Sequence, residues 1–198
     1  KKLTYSLKDI ANNRVIETNT LTAFDLKNGY KTLKIKLSES IDTSTEYGMC
    51  FTLTTSMSKK IYFYTRIKYY DNTDFFLKQK LEFVTNFHNA TFKQNKKFKY
   101  QSYLESNTSS NSSYADVDIN SSPELVTWGK LSPKVISETI PTIKEINVET
   151  AAIQYQYYVR AKTSSGNETF LIKEFYRVRY SGGRIYLLYF KRNMEADF

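Results

Sequence analysis

The chain has 198 residues with a formal charge of +9, 40% apolar and 16% aromatic content, and only six Gly and three Pro. That suffices for a packed core in one large or two small domains, and it excludes collagenous and low-complexity chains. The single cysteine, Cys50, excludes an intramolecular disulfide, and no apolar run nears the roughly 18 residues that cross a bilayer as a helix.

The first half alternates in short blocks. Leu3, Tyr5 and Leu7 alternate with polar residues, which predicts a first strand. The Thr-rich stretch from Val15 to Phe24 reads as extended, and Asn28-Gly29 is a hairpin signal leading to Leu33, Ile35 and Leu37 on one face. Met49, Phe51 and Leu53 predict a further strand, with Cys50 on the opposite side. A turn at Ser58-Lys59 leads into Ile61, Phe63, Ile67 and Tyr69, opposed by Tyr62, Tyr64, Arg66 and Lys68. Four or five strands in meander order are expected here.

The period then changes from two to three and four. Leu77, Leu81, Val84 and Phe87 or His88, with Phe76 and Phe83 beside them, predict an amphipathic helix near residues 74–92. Asn72, Thr73 and Asp74 offer capping oxygens. Four lysines follow between Lys93 and Lys99, where positive charge suits a helix C-terminus. Phe98, Tyr100 and Leu104 suggest another strand. Glu105 to Ser113 has nothing apolar to bury and reads as a solvated loop. Val117 and Ile119 resume alternation, and Ser122-Pro123-Glu124 resembles a helix start with Ser as cap and Pro in the first turn. Leu131 to Ile146 reads as partly extended.

The last fifty residues carry the strongest pattern. Ile153, Tyr155, Tyr157, Val159 and Ala161 alternate with polar residues. A turn around Thr163 to Asn167 follows, and then Phe170, Ile172, Tyr176, Val178 and Tyr180 alternate in their turn. Gly182-Gly183 tolerates the positive φ at both centres of a type I′ turn and leads into Arg184 to Lys191. Three antiparallel strands are expected, with Tyr180 opposite Ile185, Arg179 opposite Tyr186 and Phe175 opposite Phe190. On that register Tyr158, Arg160, Lys173, Arg177, Arg179, Arg184 and Tyr186 share one face, and a one-residue slip would divide them. Basic groups among aromatics are the chemistry of a polyanion platform. The plainer reading is a solvated sheet face, with Arg stems lying over tyrosine rings.

The fold expected is α+β and β-dominated: antiparallel N-terminal and C-terminal meanders with one main helix near 74–92. It forms a single β-rich domain, 1–198, with possible sub-blocks 1–71 and 95–198 joined by that helix. No CxxC, HExxH, GxSxG or phosphate loop occurs. His88 is the only histidine and reads as a packing or surface residue, and Cys50 with His88 matches no nucleophile pattern. Asp116 and Asp118 share a strand face, as a cation site would need, with no further ligand nearby. Sequons at Asn89, Asn107, Asn111, Asn120 and Asn167 carry meaning only for a eukaryotic secreted protein.

These features lead away from an enzyme, and no cofactor or metal is implied. A non-catalytic extracytoplasmic binding domain is the leading expectation: the ectodomain of a bacterial outer-membrane or surface lipoprotein, or a secreted protein. The chain opens on Lys1, so membrane anchoring would come only through a missing N-terminus. The first alternative is polyanion binding, to nucleic acid or glycosaminoglycan, through the basic-aromatic face. The second is a structural subunit of a capsid, envelope or secretion assembly. The partner is accordingly a protein or a polyanion, and an AT-rich genome would itself impose much of the Lys, Asn, Ile and Tyr usage.

Overall fold

Alternation at the start of the chain builds β1 (Lys2–Asp9), which pairs on one side with β2 (Arg14–Leu21) and on the other with β5 (Glu46–Thr54). The computed structural model describes residues 2–27, 30–43, 45–69, 75–93, 98–107 and 113–197. By their internal contacts these fall into two compact units, 1–73 and 74–198. In the first, β6 (Lys60–Lys68) adds to β5, giving the order β2-β1-β5-β6. Meander order is therefore interrupted once. The apolar strand β1 takes an interior place, and polar β2 is left at the edge.

Tyr5, Leu7, Tyr47 and Met49 form the buried face of this sheet. Ile35, Leu37 and Ile41 lie against them, but residues 33–37 are not a strand as their alternation suggests. They satisfy the apolar face by covering it rather than by joining it. The Glu17 carboxylate holds this cover: it accepts the Tyr5 hydroxyl and the backbone N–H of Ser38 (2.8 Å) and Glu39 (3.1 Å). Burial works against the charged form, but those three donors hold the carboxyl below its ordinary value. The predicted Asn28-Gly29 turn lies outside the described residues. Its flanking strands β3 (Asp25–Lys27) and β4 (Tyr30–Thr32) pair antiparallel with Lys27 opposite Tyr30.

The second unit is a sheet with a helix across it. Its strands are β7 (Asp116–Asp118), β8 (Lys134–Val135), β9 (Thr142–Ile146), β10 (Thr150–Thr163), β11 (Gly166–Ser181) and β12 (Arg184–Ala196). The order is β7-β12-β11-β10-β8, with β9 also on β10. Both predicted hairpins form. Gly182 and Gly183 have φ of 56° and 77°, the left-handed values a two-residue turn needs and a Cβ opposes. Tyr180 pairs with Ile185 and Arg179 with Tyr186, as that turn dictates.

The expected pairing of Phe175 with Phe190 does not occur. A β-bulge between Arg177 and Val178 pairs Val178 with Leu187 but Arg177 with Tyr189, and leaves Leu188 without a partner across the strand. Beyond it Tyr176 meets Phe190, Phe175 meets Lys191 and Glu174 meets Arg192. One extra residue reverses which side chains of β12 face inward. Phe190 and Arg192 are buried, and Lys191 and Asn193 turn outward.

Helix α1 (Leu77–Thr91) buries Phe83, Val84, Phe87 and His88 against β10, β11 and β12. The predicted caps, Asn72 to Asp74, lie outside the described residues. The observed N-cap is Phe76, in the left-handed region at φ 45°, with no side-chain cap. Leu77 is exposed, and Lys80 is buried in the same stripe. The Lys80 ammonium donates to the carbonyls of Asn147 (2.9 Å), Val148 (3.0 Å) and Thr150 (3.4 Å), which ties α1 to the β9–β10 turn. Lys80→Met keeps the packing and leaves those carbonyls without a donor. It is expected to lower unfolding free energy by about 1–3 kcal/mol in urea titrations.

Phe98 and Tyr100 are buried beneath α1, but in a turn followed by the 3-10 segment Gln101–Tyr103 rather than in a strand. The short helix α2 (Pro123–Val126) starts as predicted, with the Ser122 hydroxyl accepting Leu125 N–H. The protein is thus a β-dominated α+β fold with antiparallel sheets and one main helix.

Candidate functional site

The face of β10–β12 turned away from α1 holds all seven residues singled out by alternation. Tyr158 and Arg160 stand on β10, Lys173, Arg177 and Arg179 on β11, and Arg184 and Tyr186 on β12. They share a face but not a patch. Arg160 pairs with Thr169 while Arg179 pairs with Thr150, and ten residues of strand span about 33 Å. At the Gly182-Gly183 end, the Arg179 and Arg184 guanidinium groups lie 5.1 and 5.8 Å from the Tyr186 ring centroid, the cation–π geometry of Arg stems over an aromatic.

Between the two ends lies a shallow trough of about 520 Å³. Phe175 and Tyr189, with ring centroids 5.9 Å apart at 71°, form its floor, and Gln154 and Asn193 bring amides to it. Three cations border it, each already paired: Lys173 with Glu195 (2.9 Å), Arg177 with Glu145 (3.2 Å) and Lys191 with Asp116 (3.3 Å). The trough is amphipathic and close to neutral. The bulge places it, since without that extra residue Tyr189 and Lys191 would face the core.

The opposite face carries the groups capable of proton chemistry, and they are sealed in. His88 Nδ1 lies 2.7 Å from Glu174 Oε2. The same carboxylate accepts the hydroxyls of Tyr157 (2.7 Å) and Tyr176 (2.7 Å). The His88 ring stacks on Tyr155 with centroids 4.4 Å apart. Arg192, opposite Glu174, donates to the carbonyls of Val126 (2.8 Å) and Leu125 (2.7 Å), and its guanidinium lies 3.4 Å from the Trp128 ring centroid. Glu174, Arg192 and Tyr176 are each 0% exposed.

Burial favours the neutral acid at Glu174. The charges of His88 and Arg192 and the hydrogen bonds of His88 and Tyr176 outweigh it and hold the carboxyl below its ordinary value. Burial and the adjacent carboxylate push the Tyr157 and Tyr176 hydroxyls well above theirs. This arrangement has the components of an acid–base site, with Glu174 0% and His88 3% exposed. It ties α1 and α2 to the sheet.

Sequence reasoning places His88 correctly on the helix stripe and finds no partner for it. The signal for Glu174 is present but local: it interrupts the row Ile172, Tyr176, Val178 at an inward position. Arg192 carries no such signal until the bulge is known. Asp116 and Asp118 bind elsewhere. Asp116 pairs with Lys191, and Asp118 accepts the Asn120 N–H (2.9 Å) and the Ser121 hydroxyl (3.2 Å). Among the described residues no group of three potential metal ligands occurs. Cys50 is half-buried on β5, on the face away from the N-terminal core.

No known family, curated protein or solved structure matches the chain. The functional reading therefore rests on the geometry.

Proposed function

We propose that the protein is a non-catalytic binding protein acting outside the cytoplasm, with the outer face of the C-terminal sheet as its contact surface for a protein partner. One observation carries this reading: each cation around the trough is paired with a carboxylate, and the aromatic floor between them stays open. Tyr158, Tyr186, Leu188 and Tyr189 are all exposed on this face. Exposed Tyr and Arg in a polar, charge-balanced rim are the composition of protein interfaces. A polyanion would have to displace those carboxylates. Attachment to the cell surface as a lipoprotein is the form of localisation we favour, and protease treatment of intact cells that removes the protein would support it.

A polyanion is the second reading, favoured by Arg179 and Arg184, which flank Tyr186 with no carboxylate among their described ion pairs. Heparin and short single- and double-stranded oligonucleotides, titrated at low and physiological salt, decide between the two. The expected result is weak retention that disappears uniformly with salt and ignores the double variant Arg177→Gln/Arg179→Gln. Submicromolar binding that survives physiological salt and falls at least tenfold in that variant would replace the protein-contact reading.

A further inference from the structure

The trough on the outer face of the C-terminal sheet has its polar and apolar groups in a definite arrangement. Its centre is one row across three strands, with Gln154 opposite Phe175 and Phe175 opposite Lys191. Tyr189 and Asn193 stand on β12 two residues to either side of Lys191, about 13 Å apart along the strand. The Phe175 and Tyr189 rings meet at 71°, so they form a corner rather than two parallel plates. The amide side chains of Gln154 and Asn193 are half-buried and have no hydrogen-bond partner among the described residues. The cations behave in the opposite way: Lys173, Arg177 and Lys191 are each engaged by a carboxylate, and these partly exposed carboxylates keep acceptor capacity to spare.

We propose that this trough binds a neutral saccharide, one or two hexose rings long, carried by the protein partner. The inference rests on the reading of this face as a protein contact surface and adds the chemical class of the group that enters it. A pyranose ring has the same distribution of polarity as the trough, with C–H groups on its faces and hydroxyls around its rim. Its C–H face lies on an aromatic ring, whose face is electron-rich. Each hydroxyl both donates and accepts, so it can use a free amide and a carboxylate already engaged by its cation. Other ligands fit less well. An anionic ligand meets no unpaired cation here and would have to break an ion pair to gain one. A flat aromatic ligand finds no second plate to stack against. An apolar peptide side chain would cover the rings but leave both amides without partners. The volume of about 520 Å³ falls among small-ligand sites, which run from about 300 to 1,000 Å³.

Maltose, cellobiose, lactose and N,N′-diacetylchitobiose, titrated into the full chain by calorimetry and saturation-transfer NMR, test this, with glucuronate as the charged comparison. At least one of the four is expected to bind with a millimolar Kd. Its affinity should be the same at about 50 and 500 mM salt, because neither side brings an unpaired charge. Tyr189 is 42% exposed, so Tyr189→Ala should leave Tm unchanged while weakening binding at least tenfold. Tyr189→Phe should keep the affinity within twofold, and Asn193→Ala should weaken it several-fold. Saturable binding of none of the four, binding indifferent to Tyr189→Ala, or a preference for glucuronate that falls with salt would each overturn the proposal. Tyr158→p-benzoylphenylalanine, on the same face beyond the trough, separates this inference from the reading beneath it. Photocross-links to a protein on intact cells without saccharide binding overturn the saccharide alone. The absence of both overturns the contact surface as well.

Discussion

Glu174→Ala is expected to destabilise the protein by about 3–5 kcal/mol, the cost of leaving a buried charge without its compensating opposite charge. The substitution leaves Arg192 charged and 0% exposed, and removes the shared acceptor of His88, Tyr157 and Tyr176. Guanidinium titrations checked by near-ultraviolet circular dichroism measure it, and a loss under about 1 kcal/mol would mean that water reaches the network. The pH dependence has a definite sign. Because the Glu174 carboxyl is held below its ordinary value in the folded state, its contribution is fully present above the unfolded carboxyl pKa of about 4.3. It is lost as pH falls through the folded value. The acid limb of the stability profile should therefore be shallower in Glu174→Gln than in the unmodified protein. The Tyr157 and Tyr176 hydroxyls are held well above their ordinary value. Their contribution is present below about pH 10 and lost as pH rises further.

Arg192→Met is the second large effect, again about 3–5 kcal/mol. It removes the donors to the Leu125 and Val126 carbonyls at the end of α2 and the cation over Trp128, and it takes a stabilising positive charge away from the buried Glu174 carboxylate. Since the two charges compensate each other, their removal should not be additive. Glu174→Met/Arg192→Met is expected to lose about 1–3 kcal/mol less than the sum of the single variants. Strict additivity would mean that Arg192 acts through its carbonyls and Trp128 alone. Either result leaves the outer face intact, so binding measured on folded protein should not change.

Both networks depend on one bulge, and the bulge marks how far the sequence could be read. The β10–β11–β12 meander was legible because its information is local. Alternation with period two sets the faces, and Gly182-Gly183 sets the pairing near the turn. Helix α1 was legible for the same reason, from apolar spacing of three and four. The seven residues read onto one face do share it, since alternation and the turn determine that much.

Local pattern did not determine the partners. Residues 33–37 alternate like a strand yet serve as a cover, because an apolar row can be satisfied by packing on a sheet as well as by joining it. Phe98 and Tyr100 behave likewise under α1. The interior place of β1 follows from competition among strands for burial, which no single strand reveals. The choice between Lys191 and Arg192 for the core was decided by Leu188, left without a cross-strand partner so that Phe190 could pack on Tyr176 and Phe87.

Composition, the antiparallel hairpins, the single main helix and the basic outer face therefore belong to the sequence by itself. Tertiary structure alone decided which charges are buried together, which cations are already neutralised, and where the trough lies. The physical reason is that register past a bulge and the pairing of buried charges are set by contacts distant along the chain. His88 and Glu174, 86 residues apart, are the clearest case.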